Sequence, residues 1–143
     1  MSSVIVGIAD AVTEALNGAT LSQPVTAQRS YLPRFELPEM AQLKVTVVPS
    51  AVEITTAGRN RATERYRIDI GVQKKLASED VAEVDALSGL AQEIADHFRF
   101  KRLAGYPSAV WVRTEHEPLY DPAHMEQMRQ FTAVIRLTYQ VTR

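Results

Sequence analysis

The sequence contains no cysteine, which excludes disulfide bonds, thiolate nucleophiles and cysteine-ligated zinc. Its six glycines occur singly, so no glycine-rich loop is available to bind phosphate. No apolar run approaches the length of a membrane-spanning helix, and residues 1–4 lack the positive charge of a secretory signal. The net charge of -1 offers no electrostatic basis for direct binding of nucleic acid. We therefore expect a protein that is made in a cytoplasm and has no membrane partner.

The remaining composition is that of a globular chain. The 143 residues include 45% apolar and 23% charged side chains, close to the globular average. This length predicts a single domain, residues 1–143, with enough apolar side chains to bury a core.

The last residues, 130–143, give the strongest structural signal. Apolar and other side chains alternate here with a period of two, which predicts a long strand with one buried face and an end inside its own sheet. The other face is mostly threonine and glutamine, which suits contact with another protein surface as well as with water. The residues expected on the buried face are Phe131, Ala133, Ile135, Leu137, Tyr139 and Val141.

Two helices are predicted from apolar side chains that recur at every third or fourth residue. The first covers residues 3–17, with Ser2 or Ser3 as a cap and Asn17-Gly18 supplying the left-handed residue that ends it. The second begins at Ser78, whose hydroxyl can cap the first turn, and continues through Phe98.

Shorter alternating segments predict further strands on both sides of Pro49, at residues 66–72 and at residues 109–115. The arginine-rich residues 57–64 have turn chemistry, which predicts an exposed hairpin loop. In the strand at 109–115, alternation places Trp111 and Arg113 on the same face. The order of elements predicts an α+β fold, an antiparallel sheet of about four to six strands with two main helices packed on one face.

Residues 19–41 fit none of these patterns. Prolines stand among bulky apolar residues here, so the segment is too apolar for a linker and too interrupted for regular structure. We expect an ordered loop excursion from the core, with a short extended edge segment at 22–29. Such excursions often touch partners, which makes Tyr31 and Phe35 candidate interface residues, together with Tyr120 in a second proline-bounded loop.

Two histidines provide the one plausible group for metal binding or acid–base chemistry. His116 and His124 lie near Glu115, Glu117 and Asp121, and imidazole and carboxylate ligands suit zinc or iron. Their spacing matches no established metal motif, and no serine stands in a nucleophile elbow. We therefore expect no catalytic residue, no cofactor and no metal. The alternative is a small metal-dependent enzyme or ligand-binding domain that uses His116, Glu117 and His124.

Two segments carry a resemblance to a known family. The first is Ile-Gly-Val-Gln-Lys-Lys at residues 70–75 with the helix at 84–98, and the second is Glu-Pro-Leu-Tyr-Asp-Pro at residues 117–122, leading through residues 129–131 into the last strand. From about residue 43 onward, the sequence resembles the tail terminator or tail completion proteins of long-tailed bacteriophages. The resemblance implies an α+β structural virion protein at the head–tail junction, and a head-side adaptor of the same virion is the alternative.

The resemblance also implies partners. It implies a ring of six copies that caps the tail tube protein and joins it to the head connector or adaptor protein, in the tail or neck of a virion assembled in the cytoplasm of a bacterial host. Each subunit of a closed ring needs two different complementary surfaces, and basic loops facing the lumen would touch passing DNA weakly and without reading its sequence. The expected contacts lie in the loops at residues 31–37, 59–65 and 115–121. The candidate interface residues are Tyr31, Phe35, Arg59, Arg61, Arg65, Glu115, Glu117, Tyr120 and Asp121.

Overall fold

The computed structural model describes residues 3–31, 42–76, 81–116 and 130–143. Within these residues the chain forms two helices and five strands, whose order is close to the predicted one. The elements are α1 (Val4–Asn17), β1 (Ala27–Arg29), β2 (Lys44–Gly58), β3 (Arg61–Lys75), α2 (Val81–His97), β4 (Val110–His116) and β5 (Gln130–Thr142). No helix in the described part of the chain is long and apolar enough to cross a membrane.

The five strands form one sheet in the order β1-β2-β3-β5-β4. The pairs β2–β3, β3–β5 and β4–β5 are antiparallel, whereas β1 runs parallel to β2. The predicted α+β fold with a largely antiparallel sheet is confirmed, and the parallel edge strand adds a detail that alternation does not reveal. The connection from residue 30 to residue 43 is long enough for the crossover that a parallel pair requires.

The last strand, β5, lies between β3 and β4 in this sheet, and it ends inside the sheet as its alternation predicted. β5 pairs with β3 along its whole length, from Gln130 opposite Lys75 to Thr142 opposite Thr63, and with β4 on its other side. All six apolar residues expected on its buried face are buried. The chain therefore ends inside the sheet, where the N–H of Arg143 donates to the carbonyl of Ala62 at 3.0 Å.

Both helices cover one face of the sheet. The buried side chains of the two helices belong to a single apolar cluster together with Val45 and Val47 of β2 and with the even-numbered residues of β3. Side chains on one strand alternate between faces, so a cluster that takes only the even positions of β3 lies on one side of the sheet. The buried helical residues are Ile8, Ala9, Ala11, Val12 and Leu16 of α1, and Leu87, Leu90, Ala91 and Ile94 of α2.

The start of α1 agrees with the prediction, whereas its end does not. Ser3 caps α1 as expected, since its Oγ accepts a hydrogen bond from the N–H of Val6 at 3.4 Å. Gly18 is not left-handed as predicted: its φ is -92°, because its N–H donates to the carbonyl of Glu14 and continues the helical pattern. The predicted cap of α2, Ser78, lies outside the described residues.

The loop predicted at residues 57–64 is much shorter in the structure. β2 continues through Pro49 with a register shift between Pro49 and Ala51, and β3 begins at Arg61, so the turn consists of residues 59 and 60 alone. Asn60 has a φ of 63°, a left-handed conformation that asparagine tolerates better than most residues. The strands are long because β3 finds partners for residues 63–67 in β5, which is distant in the sequence.

The predicted faces of β4 are also wrong. Trp111 lies opposite Tyr139 and Arg113 lies opposite Thr138, so one extra residue on β4 separates two consecutive pairs. This irregularity between Trp111 and Arg113 moves their side chains to opposite faces of the sheet. Trp111 therefore shares the helix-covered face with Tyr139, and Arg113 shares the other face with Thr138.

Candidate assembly surfaces

The hairpin formed by β2 and β3 extends past the helices as an exposed arm, which we define as residues 51–67. In β2, the side chains of residues 52–58 are exposed, and so are those of Arg59 and Arg61 at the tip. Arg65, which was expected in a loop, lies within β3, and its Nε donates a hydrogen bond of 3.3 Å to Oε1 of Gln140. The structure therefore brings the three predicted arginines together on one rigid arm.

A buried carboxylate fastens the base of this arm to the end of the chain. Oε1 of Glu64 accepts hydrogen bonds from the hydroxyl of Tyr66 at 2.9 Å and from Nε of Arg143 at 2.7 Å. The hydrogen bond from Arg143, followed by that from Tyr66, holds the pKa of Glu64 below its usual value. Burial, followed by the contact with Glu64, raises the pKa of Tyr66 to about 12. Tyr66 was expected on this face of its strand, whereas Glu64 and Arg143 were not.

The predicted acidic surface is only partly described. Glu115 lies on β4 opposite Arg136, and its Oε1 is 3.2 Å from Nε of Arg113. Arg136 in turn donates from Nε to Oδ1 of Asp69 at 2.9 Å, so charges of both signs form a row across the open face. The remaining predicted residues on this side, Glu117, Tyr120 and Asp121, lie outside the described residues.

The candidate at the first loop is Tyr31, next to the edge strand β1. Its ring is exposed, and the guanidinium of Arg29 lies 5.4 Å from the ring centroid. Nε of Arg29 is also 2.6 Å from Oδ1 of Asp10 on α1, so the strand and the helix are tied together at this point. The second candidate of this loop, Phe35, lies outside the described residues.

Two apolar patches were missed by the sequence analysis. One consists of Val52 and Ile54 on the arm, which are 48% and 61% exposed. The other consists of Phe100, which is 82% exposed, and Trp111, whose ring lies 4.9 Å from that of Phe100 in an edge contact. Alternation places Val52 and Ile54 on one face of β2, but it does not indicate that the arm extends beyond the helices that would cover this face.

The residues of the alternative metal site are described only in part. Among residues 3–31, 42–76, 81–116 and 130–143, no group of three or more histidine, aspartate or glutamate side chains is arranged to hold a metal ion. His116 lies at the end of β4, while Glu117 and His124, the other members of the alternative site, lie outside these ranges.

The fold is shared with chains of a gene transfer agent virion and of a contractile injection system. No family model and no curated protein matches the sequence. A chain from the virion of a native gene transfer agent particle matches with a TM-score of 0.64 at 16% identity, over 99% of this chain and 100% of that chain. A chain from the sheath/tube terminator of an extracellular contractile injection system in the extended state matches with a TM-score of 0.52 at 17% identity. That match covers 100% of this chain and 58% of the other.

These two likenesses are ones of fold, and they extend over essentially the whole chain. They agree with the fold that the resemblance to tail terminator proteins implied.

Proposed function

We propose that this chain is a structural virion protein of a tailed phage or phage-like particle, a terminator-like ring subunit at the head–tail junction. In this role it caps the tail tube, joins it to the head connector and acts by assembly without catalysis. The observation that carries the proposal is the match of the whole fold to a chain of a gene transfer agent virion. The likeness to a sheath/tube terminator supports a position at the end of a tail.

The arm and the edge strand β4 support assembly in a closed ring, for which we propose six copies. A ring subunit must present two different surfaces to its two neighbours. The arm carries Arg59 in its turn and Arg61 and Arg65 on β3, whereas Glu115 lies on the edge strand β4. Any of these arginines that faces the lumen would also contact passing DNA through its phosphates, without reading its sequence.

Charge reversal on the arm tests the proposed function. The triple variant Arg59→Glu, Arg61→Glu, Arg65→Glu is supplied to a producing host that lacks the native gene, and particles are counted by electron microscopy. We expect separate filled heads and unjoined tails, because the arm would carry the wrong sign for its contacts. The matched control replaces the same three residues by lysine, keeps the charge and should give joined particles.

Two readouts make this experiment decisive. The purified triple variant should retain the far-ultraviolet circular dichroism of the native chain, since all three side chains are exposed. Native particles are then dissociated into heads and tails, and antibodies against the native protein show which of the two carries it. Detection on tails supports the terminator role, and detection on heads alone would replace it by the adaptor role. Normal yields of joined particles from a folded glutamate variant would contradict the proposed role of the arm.

A further inference from the structure

The two ends of the sheet carry strand edges that no described strand occupies. β1 covers β2 only at residues 45–47, so the outer edge of β2 over residues 51–58 pairs with no strand in the described part of the chain. β4 is the last strand at the opposite end, and its outer edge over residues 110–115 faces no other strand in these same ranges. Long unpaired edges with apolar side chains favour pairing with another chain.

Both edges carry apolar side chains on the helix-covered side of the sheet, exposed on β2 and half-buried at Trp111 of β4. Val52 and Ile54 of β2 lie opposite Tyr66 and Glu64 of β3, which places them on the helix-covered side. Trp111 of β4 lies opposite Tyr139 on that side and contacts the exposed ring of Phe100. Two edges that display apolar groups on the same side can join and bury those groups together.

The two edges lie at the same position along the strand direction. Val52, Tyr66, Tyr139 and Trp111 are successive partners across β2, β3, β5 and β4, so they form one row across the sheet. Rotation about a ring axis carries each copy onto the next without a shift along that axis. This rotation therefore brings Val52 of the next copy level with Trp111. If the strands are tilted relative to the ring axis, the register shifts by two residues, so that Ile54 takes the place of Val52 on the same face.

Strand direction and charge are compatible with this contact. β4 runs antiparallel to β5, β5 to β3 and β3 to β2, so β4 is antiparallel to β2 of the same copy and also to β2 of an equally oriented neighbour. In the register that brings Ile54 level with Trp111, the contact places the exposed Glu53 of β2 opposite Arg113 of β4 on the open side of the sheet, where the side chain of Arg113 is 59% exposed. Opposite charges at neighbouring cross-strand positions stabilise a pair of strands.

We propose that the occupant of both edges is a second copy of this chain, and that the outer edge of β2 in one copy pairs with the outer edge of β4 in the next. This inference rests on the proposed ring and specifies how the ring closes: the sheets of neighbouring copies join into one continuous sheet. Val52 and Ile54 of one copy pack against Trp111 and Phe100 of its neighbour, and Glu53 pairs with Arg113.

Complementary charge reversal tests this pairing. Glu53→Arg and Arg113→Glu are purified separately and analysed by native mass spectrometry beside the native chain. We expect the native chain to form a ring and each single variant to associate at least about tenfold more weakly, because like charges then meet at every contact. Mixing the two variants places opposite charges at each contact between unlike copies. We therefore expect a ring that contains both variants in equal number.

The mixture separates a contact between copies from damage within one copy. Glu53 also lies opposite Arg65 in its own hairpin, so Glu53→Arg weakens the arm as well as the contact. Mixing cannot repair damage inside a chain, whereas it restores a contact between chains. Folded single variants that fail to associate when mixed would overturn the edge pairing.

The other outcomes distinguish this inference from the proposed function. If the native chain and both variants form rings equally well, the edge pairing is wrong and the proposed ring stands. If the native chain remains a monomer at every concentration and also when mixed with tail tubes, the ring fails and the pairing fails with it.

A pair of apolar substitutions provides an independent check. Ile54→Lys places a charge at the apolar part of the proposed contact and should abolish the ring. Val81→Lys, at the start of α2, changes an equally apolar residue that is 70% exposed but lies on neither edge, and should leave the ring intact. Equal loss of the ring in both variants would overturn the assignment of the contact to the β2 edge.

Discussion

Nε of Arg143, the last residue of the chain, lies 2.7 Å from Oε1 of Glu64, and this contact fastens the chain end to the base of the exposed arm. The side chain of Glu64 is only 7% exposed, and the hydroxyl of Tyr66 also donates to it. Glu64 is therefore a buried carboxylate whose charged form is held by two donors. This arrangement makes the stability of the sheet depend on pH.

Glu64→Gln should lower the free energy of unfolding by about 1–3 kcal/mol at pH 7, because it weakens charge-assisted hydrogen bonds in a buried position. The pKa of Glu64 is lowered by folding, so the unfolded chain takes up the proton first as the pH falls. The stabilisation is complete above the unfolded pKa of about 4.3 and is lost as the pH falls through the folded value. Urea unfolding at pH 7 and at pH 3.5 measures the difference.

The same substitution at an exposed position serves as the control. Glu53→Gln should change the free energy of unfolding by no more than about 0.5 kcal/mol at either pH, as is usual for exposed sites. The difference in free energy of unfolding between the native chain and Glu64→Gln should be smaller at pH 3.5 than at pH 7. An equal difference at both pH values would show that the ionised form of Glu64 does not stabilise the fold.

Loss of the hydroxyl should have different effects on stability at Tyr66 and at Tyr139, which face each other across β3 and β5. Tyr66 donates to Glu64, whereas the buried hydroxyl of Tyr139 has no hydrogen-bond partner among the described residues. Tyr66→Phe should destabilise the chain by about 1–2 kcal/mol, while Tyr139→Phe should be neutral or stabilising by up to about 1 kcal/mol. Thermal unfolding of both variants tests the contrast, and a larger loss at Tyr139 would contradict it.

Two glycines should also differ when replaced by alanine. A Cβ added at Gly89, inside α2, meets nothing within 4 Å, so Gly89→Ala should stabilise the chain by about 0.5–1 kcal/mol through its higher helix propensity. A Cβ added at Gly105 would lie 3.1 Å from Cβ of Ala11 and 3.2 Å from Oε2 of Glu14, so Gly105→Ala should cost about 1–3 kcal/mol. Urea unfolding of the two variants gives both values. If Gly105→Ala instead stabilises the chain, α1 must shift to accommodate the Cβ without a loss of packing energy.

Much of the fold follows from local patterns, and the departures have local physical causes. The period-two pattern of β5 is sufficient to predict a strand with one buried face, because the apolar core lies on the face of its odd-numbered residues. The irregularity in β4 leaves no trace in that pattern, although it moves Arg113 to the face opposite Trp111. A bulge depends on the pairing with β5, and pairing between distant segments is not a property of either segment alone.

The interface was harder to predict than the fold for a similar reason. Alternation marks Val52 and Ile54 as one face of a strand, and such a face is normally buried. They are exposed because the arm passes beyond α1 and α2, and the reach of a helix relative to a strand is set by tertiary packing. The arginines at 59, 61 and 65 were recognised by composition, but the position of Arg65 on a paired strand instead of a loop depends on the long register of β3 with β5.

Phe100 combines an unfavourable backbone with an exposed ring. Its φ is 55°, in the left-handed region that favours glycine, and its ring is 82% exposed beside Trp111. A non-glycine residue in this region is destabilised by about 1 kcal/mol, and the single edge contact returns a similar amount. Phe100→Gly should therefore change the free energy of unfolding of the monomer by less than about 1 kcal/mol.

The same substitution should weaken the ring, since the proposed contact with the β2 edge of the next copy loses its most exposed apolar group. Native mass spectrometry measures the association, and urea unfolding measures the monomer. Phe100→Leu is the matched control, because it keeps an apolar side chain at the same strained position and should retain most of the association. A monomer destabilised by more than about 2 kcal/mol, with an unchanged ring, would mean that Phe100 supports the fold of its own chain and not the contact between copies.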